Sequence, residues 1–255
     1  MISSTSPWVS VIMPVHNAER FIRASIESVI SHTFNNWELL IIDDASTDTS
    51  MTIAKEYAKK DSRIFILENK NHIGMPSAPR NTGVRIAKGR FIAFLDSDDM
   101  WKPCKLEQQL PLFEDKRTAI VYSNYEKTDQ NSYAQPERIV KAPQQVNYHQ
   151  MLLGNIIGNL TGIYDTLKVG KIPIENVHHE DYVMWLAILK KGYIGKNTNT
   201  VSAIYRTHGG SVSANKWNVL SWQWYIYRHV EHISFVKSIY YYANYAFRAF
   251  LKALI

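Results

Sequence analysis

A single cysteine, Cys104, stands among 255 residues. No intrachain disulfide or zinc ribbon can be built from it, and such sparse usage suits a reducing compartment. Nowhere do about 18 apolar residues follow one another, which leaves no candidate membrane-spanning helix. The opening MISSTSPWVSV has neither the basic patch nor the apolar core of a secretory leader and runs directly into a strand-like pattern, so a cytoplasmic chain is expected. Several phosphate and catalytic signatures are missing too. There is no G-x-x-x-x-G-K-[ST], no G-x-G-x-x-G after the first strand, no H-E-x-x-H and no G-x-S-x-G, which argues against P-loop, dinucleotide, zinc-protease and serine-elbow chemistry. Internal repeats and low-complexity tracts are absent.

What is present describes an ordinary folded protein: 45% hydrophobic and 20% charged residues. The formal net charge of +6 points to phosphate, nucleic acid or acidic lipid as partner, or to no more than a basic surface. Nucleic acid is the weakest of these, because the cations are scattered and no nucleic-acid motif occurs.

The first ~120 residues alternate strand-like and helix-like patterns, the signature of a parallel sheet with crossover helices. Strands are expected at Val9 to Val15, Trp37 to Ile42, Arg63 to Leu67, Arg90 to Leu95 and Ala119 to Tyr122. Between them, Asn17 is placed to cap a helix with Phe21, Ile22, Ile26, Val29 and Ile30 on one face. Thr47 or Asp48 caps the next, a third covers Ser77 to Ala87, and a fourth starts near Pro103. Residues 126 to 145 are polar with two prolines and read as a surface loop or hinge. A helix near Asp181 to Lys190 and a strand at Val201 to Tyr205 follow. The expected division is 1–125, 126–215 and a helical tail, 216–255. If Phe235 to Ile255 is helical, Lys237, Tyr241, Asn244, Arg248 and Lys252 form a polar stripe opposite Phe235, Ile239, Tyr242, Ala246, Phe250 and Ala253. Such a helix can lie in a membrane surface or pack on the domain.

Ligands of an open parallel sheet sit at the carboxyl ends of its strands. Three polar turns fall there: VHN, DDAST and DSDD. The last has two readings. Hard cations such as Mg²⁺ and Mn²⁺ use one or two carboxylates together with substrate phosphates, whereas Asp98 and Asp99 are also ordinary helix-capping residues.

Taken in order, VSVIMPVHNAERFI, WELLIIDDASTD, GMPSAPRNTGVRIAKGRFIAFLDSDDMW and HHEDYVMW resemble the successive signatures of family 2 glycosyltransferases, strongly over residues 8 to 125 and more weakly to about 210. The resemblance implies an α/β GT-A fold. That fold has a Rossmann-like, mostly parallel sheet with flanking helices, a smaller acceptor-side half and, here, the amphipathic tail. It also implies a UDP-sugar donor, a Mn²⁺ or Mg²⁺ cofactor and inversion at the anomeric carbon. By motif, Pro14, Val15, His16 and Asn17 border the nucleoside, Asp44 contacts the base, and Asp43 and Ser46 shape that turn. Arg80 lies near the diphosphate. Asp96 and Ser97 join the donor site, Asp96 near ribose or metal-bound water, with Asp98 as the direct metal ligand. Asp181 matches the catalytic base and Glu180 a supporting group. Arg206 and His208 belong to a loop resembling one that closes over the diphosphate. His16, Ala45 and Pro79 depart from frequent Tyr, Gly and Ala, which puts base stacking and loop shape in question.

Processive members carry membrane spans and a Gln-x-x-Arg-Trp motif; here the region reads SANKW, so one sugar per acceptor is expected. The implied acceptor is a lipid-diphosphate-linked glycan at the inner face of the cytoplasmic membrane, as in O-antigen or capsule synthesis. UDP-galactose or UDP-glucose is the expected donor, with UDP-N-acetylhexosamines as the alternative. A nucleotide-sugar-binding protein that has lost catalysis is the competing reading, against which the intact Asp98 and Asp181 argue.

Overall fold

Strand β1, Val9–Val15, carries the alternation that builds the core. Val9, Val11 and Met13 enter one apolar cluster and Ile12 enters the other, on the opposite face of the sheet, as the two-residue period of a strand requires. In the computed structural model, which describes residues 7–70, 72, 74–129, 134–207 and 216–254, β1 leads to helix α1 (Ile22–Ile30), β2 (Trp37–Asp43), α2 (Ser50–Lys60), β3 (Ile64–Glu68), α3 (Ser77–Ile86) and β4 (Phe91–Phe94). β1 pairs in parallel with β2 and β4, and β2 with β3. The expected βα alternation therefore produces a parallel half-sheet with α1 and α2 on one face and α3 on the other.

The second half is mixed. A short β5 (Met100–Trp101), helix α4 (Lys105–Gln109), β6 (Thr118–Thr128), β7 (Ala134–Val140) and β8 (Gln145–Val146) come next. They are followed by α5 (Tyr148–Met151), β9 (Ile163–Asp165), α6 (Thr166–Val169), α7 (Glu180–Leu189), β10 (Ile194–Arg206), α8 (Lys216–Tyr225) and α9 (Phe235–Leu254). The described strands make one sheet in the order β3-β2-β1-β4-β9-β6-β10-β5, with β7 beside β6 and β8 beside β10. β9 runs antiparallel between β4 and β6, while β10 is parallel to β6.

Several expectations are corrected. Much of residues 126 to 145 is strand and not a loop or hinge: β6 continues through residue 126 to Thr128, and β7 pairs with it antiparallel. Lys102 Nζ holds Glu126 at 3.0 Å, and Ala142 N–H donates to Asn124 Oδ1 at 2.9 Å. Ladder hydrogen bonds stabilise this polar segment, which lacks the apolar alternation that marks a strand in sequence. Asn17 caps no helix. α1 begins after Phe21 without a side-chain cap, and Asn17, at φ 49°, accepts from the second polar turn. Asp48 does serve the start of α2, its Oδ1 accepting from Ser50 N–H and Oγ.

One close approach fixes the floor of the sheet. A Cβ on Gly89 would lie 2.6 Å from the Ser10 nitrogen, so β4 can enter beside β1 only with glycine there. Buried Glu38 is satisfied in the same corner by Ser10 Oγ and Lys88 N–H.

Beneath the DSDD turn, Lys105 is fully buried. Its ammonium sits 4.3 Å from the Trp101 ring centroid and donates to Gln109 Oε1, while buried His32 meets the same ring edge-on. Burial pushes Lys105 down from 10.5 to about 7. Between these values the unfolded chain carries a proton that the folded chain does not, so stability rises as pH climbs from 7 toward 10.5. Lys105→Met removes that penalty. Urea unfolding should find it stabilising by more than about 1 kcal/mol at pH 6.5, with the advantage shrinking by pH 9.5. An advantage that does not change with pH would contradict the buried ammonium as its cause.

Candidate active site

The carboxyl ends of β1, β2 and β4 open onto a cleft of about 500 Å³ whose lining includes Pro14, Val15, His16, Asp44, Arg80, Asp96, Ser97 and Asp98. The two polar turns that follow β1 and β2 are laced together. Asn17 N–H donates to Ser46 Oγ, Asp43 Oδ1 accepts Ser46 N–H at 3.0 Å, and His16 Nδ1 donates to the Asp44 carbonyl at 2.7 Å. That last bond fixes the imidazole tautomer, since a carbonyl can only accept. Ala45 keeps the left-handed conformation, φ 62°, that glycine adopts freely, at a cost of about 1–2 kcal/mol.

Asp44 is buried, and two residues that the motifs did not single out hold it. Asn69 Nδ2 donates to Oδ1 at 2.6 Å, and His72 Nδ1 stands 3.0 Å from Oδ2 with its ring stacked against His16. Asn69 lies just past β3 and follows no recognisable spacing. Only its place at a third strand end, the same rule that marked VHN and DDAST, signals it.

The DSDD turn divides its three carboxylates. Asp96 and Asp98 line the cleft, whereas Asp99 is buried and accepts the Arg206 N–H at 2.9 Å. Burial, reinforced by Asp98 and Asp96, holds the Asp99 carboxyl well above the usual range. Arg206 is therefore not on a mobile lid as expected. It is itself buried at the end of β10, donates through Nε to the Asp98 carbonyl at 2.8 Å and lies over Phe21, so it braces the acidic turn from below. His208 lies outside the described residues.

Arg80 joins the two halves. Helix α3 presents it, buried, between Asp96, 2.5 Å from Nη2, and Glu180, which receives Nη1. Its Nε is buried without a hydrogen-bond partner. Burial opposes the charge, but Asp96 and Glu180 outweigh it and raise the guanidinium pKa. Across this ion pair opens a second cleft of about 370 Å³, lined by Arg80, Asp96, Tyr125, Lys127, Asn155, Asp181 and Tyr205 among others. Glu180 and Asp181 start α7, and His179 before them takes the left-handed conformation, φ 59°. Asp181 Oδ2 accepts from Asn155 Nδ2 at 3.1 Å. Burial pushes both carboxyls upward, against the pull of Asn155 and Arg80 on Asp181 and of Arg80 on Glu180. Asn155, Tyr125 and Lys127 carry no signal in the sequence: Lys127 falls in the segment expected to be loop, Tyr125 between it and the expected strand end at Tyr122, and Asn155 in an irregular turn.

Pro14, Val15, His16, Asp44, Arg80, Asp96, Ser97 and Asp98 are thus brought to one cleft, with Asn17, Asp43 and Ser46 behind it and Glu180 and Asp181 in the next. A divalent cation fits the first cleft chemically. Two carboxylates with one residue between them face it, and among the described residues no group of three or more His, Cys, Asp or Glu forms a closed cage. That donor set suits a hard ion sharing its shell with phosphate oxygens.

The model of Glycosyl transferase family 2 matches residues 10–171. TuaG of Bacillus subtilis (strain 168), named for teichuronic acid biosynthesis, is 35% identical over 254 residues, 99% of this chain and 100% of that one. WfgD of Escherichia coli, named a UDP-Glc:alpha-D-GlcNAc-diphosphoundecaprenol beta-1,3-glucosyltransferase, is 42% identical over 217 residues, 85% of this chain and 83% of that one. Among solved structures, S. aureus TarS 1-349 in complex with UDP-GlcNAc superposes with a TM-score of 0.69 at 20% identity, over 93% of this chain and 71% of that one. PcManGT from Pyrobaculum calidifontis, a mannosyltransferase in complex with GDP-Man and Mn²⁺, gives 0.61 at 18% identity, over 89% and 63%.

Proposed function

Because the chain belongs to glycosyl transferase family 2 and has its GT-A fold, we propose that this glycosyltransferase moves one hexose, with inversion, from a UDP-sugar to a hydroxyl of a lipid-diphosphate-linked glycan. The observation that carries this reading is the meeting of two clefts at Arg80 and Asp96, one lined by the DSD carboxylates and the other by Asp181. UDP-glucose is the donor that the name of WfgD prints, with GlcNAc-diphosphoundecaprenol as its acceptor and a β linkage as its product. A β product from the α-linked donor requires inversion. The glucose donor agrees with the 42% identity to WfgD.

In this reading the uracil lies against the corner built by His16, Asp44, Asn69 and His72. Asp98, with Asp96, would hold a Mn²⁺ or Mg²⁺ ion, which supplies charge neutralisation for the departing diphosphate. Asp181 takes the proton of the acceptor hydroxyl as its oxygen forms the new bond to the anomeric carbon. The electrons of the broken carbon–oxygen bond leave with UDP. Glu180 is committed to Arg80, so its part is to hold that cation beside the diphosphate rather than to accept a proton. Lys127 and the Tyr125 and Tyr205 rings, 6.1 Å apart, offer a cation and two apolar faces to the acceptor. The enzyme works at the inner face of the cytoplasmic membrane as a peripheral protein, in surface-polysaccharide synthesis. No described helix is long and apolar enough to cross a bilayer.

Calorimetric titration with UDP, GDP and CDP, each with and without Mn²⁺, tests the donor site. UDP should bind in a metal-dependent way, and Asp98→Ala should weaken that binding about tenfold or more. Equal affinity of the Asp98 variant with metal present would remove Asp98 from the ligand set.

A further inference from the structure

The described side chains of helix α9 pack on the domain through one face. Ser238 is buried, Tyr241 lies 6.0 Å from the Tyr227 ring, Tyr242 meets Trp224 edge-on at 5.4 Å, and Tyr245 faces Gly154. The polar stripe expected from the sequence is therefore misplaced, since Tyr241 belongs to the packed side. The outward side carries Val236, Ile239, Tyr240, Ala243 and Phe247. The four larger residues are 77%, 48%, 60% and 62% exposed, in that order. At about 100° per residue all five fall within an arc of about 100°. A contiguous apolar stripe of this kind marks an interaction surface rather than ordinary scatter.

Charge selects the occupant. From His232 to the end the chain has Lys237, Arg248 and Lys252 and not one Asp or Glu, and Lys237 is exposed. The stripe, flanked by exposed Lys237 in a segment without an acid, matches an anionic lipid surface. A second copy of the chain would set two acid-free, cationic segments against each other. The inner side of the helix matters as much. A Cβ on Gly154, at φ 146°, would lie 3.5 Å from the Tyr245 ring, so the helix packs directly on this turn, and its neighbour Asn155 donates to Asp181. One helix diameter, about 10–12 Å, thus separates the wall of the acceptor cleft from the exposed stripe.

We propose that α9 lies in the surface of an anionic bilayer through Val236, Ile239, Tyr240, Ala243 and Phe247. That seating holds the cleft containing Asp181 at headgroup level, where the diphosphate of a lipid-linked acceptor resides. The second clause rests on the acceptor class proposed above; the docking face does not.

The test is flotation of the full chain with vesicles of phosphatidylglycerol and phosphatidylcholine, or of phosphatidylcholine alone, with no nucleotide or acceptor present. The wild type should partition onto the anionic vesicles. A triple variant, Val236→Ser, Tyr240→Ser and Phe247→Ser, should lose about tenfold or more of that partition while keeping its circular dichroism and melting curve, because all three side chains are exposed. Transfer should fall on acceptor embedded in vesicles and persist on an analogue with a short, water-soluble chain. A wild type that fails to float, or a triple variant that floats equally well, overturns the proposal. So does a wild-type dimer, without vesicle binding, that the triple variant converts to monomer, since the stripe then belongs to a second copy. Flotation that depends on the stripe but is accompanied by transfer to neither acceptor supports the docking face and overturns the acceptor reading instead.

Discussion

Asp181→Asn should lower kcat by about 10²–10⁴-fold and leave KM for the sugar nucleotide unchanged. The substitution is nearly isosteric, and Asn155 Nδ2 still finds an acceptor in the new amide oxygen, so the first turn of α7 should keep its shape. What disappears is the carboxylate proposed to receive the acceptor proton. Burial has already raised the basicity of that group by pushing its pKa upward, an arrangement that favours proton abstraction over mere ion pairing. Steady-state kinetics with donor varied at saturating acceptor, beside donor titration by calorimetry, separate chemistry from binding. A variant with wild-type kcat would return Asp181 to the role of an acidic residue favoured at a helix N-terminus.

Arg80→Gln should be costly in a different way, destabilising the fold by about 3–5 kcal/mol and abolishing transfer. The guanidinium is buried and bidentate in effect, with one nitrogen to Asp96 and the other to Glu180. Removing it leaves Glu180, only 13% exposed, without its cation. Most of the loss is then the penalty of an unpaired buried carboxylate, which makes a specific secondary prediction. In the double variant with Glu180→Gln, urea unfolding should recover much of the stability, whereas transfer should stay lost because the positive charge proposed to face the diphosphate is still missing. Additive losses in that cycle would show that Arg80 and Glu180 do not interact energetically. Lysine should rescue poorly, since a single ammonium cannot span both carboxylates.

The parallel half of the fold was legible because β1, β2 and β4 are buried on both faces and bounded by turn residues, so Val9 to Val15 and Trp37 to Ile42 announce themselves as continuous apolar runs. The same logic located the cleft proposed for the donor: once strand ends are known, VHN, DDAST and DSDD have to converge. Legibility failed where stability comes from pairing instead of composition. Residues 126 to 140 are polar, yet β6 and β7 form because the backbone finds ladder partners. Arg206 escapes the sequence for the related reason that a charged residue near two glycines reads as exposed, whereas buried Asp99 and the Asp98 carbonyl in the turn after β4 recruit it.

By itself, then, the sequence determined the βα alternation, the family, and the residue types placed at the strand ends, because these depend on local periodicity and on chemistry concentrated in short motifs. Tertiary structure alone decided which charges meet. Arg80 and Glu180 are 100 residues apart in the chain, and nothing local couples them; α3 and the start of α7 bring them together by packing against one sheet. It also decided which face of α9 is covered. Helical periodicity fixes only which residues share a face, and the aromatic cluster of Trp224, Tyr227 and the Gly154 turn selects the one that is buried.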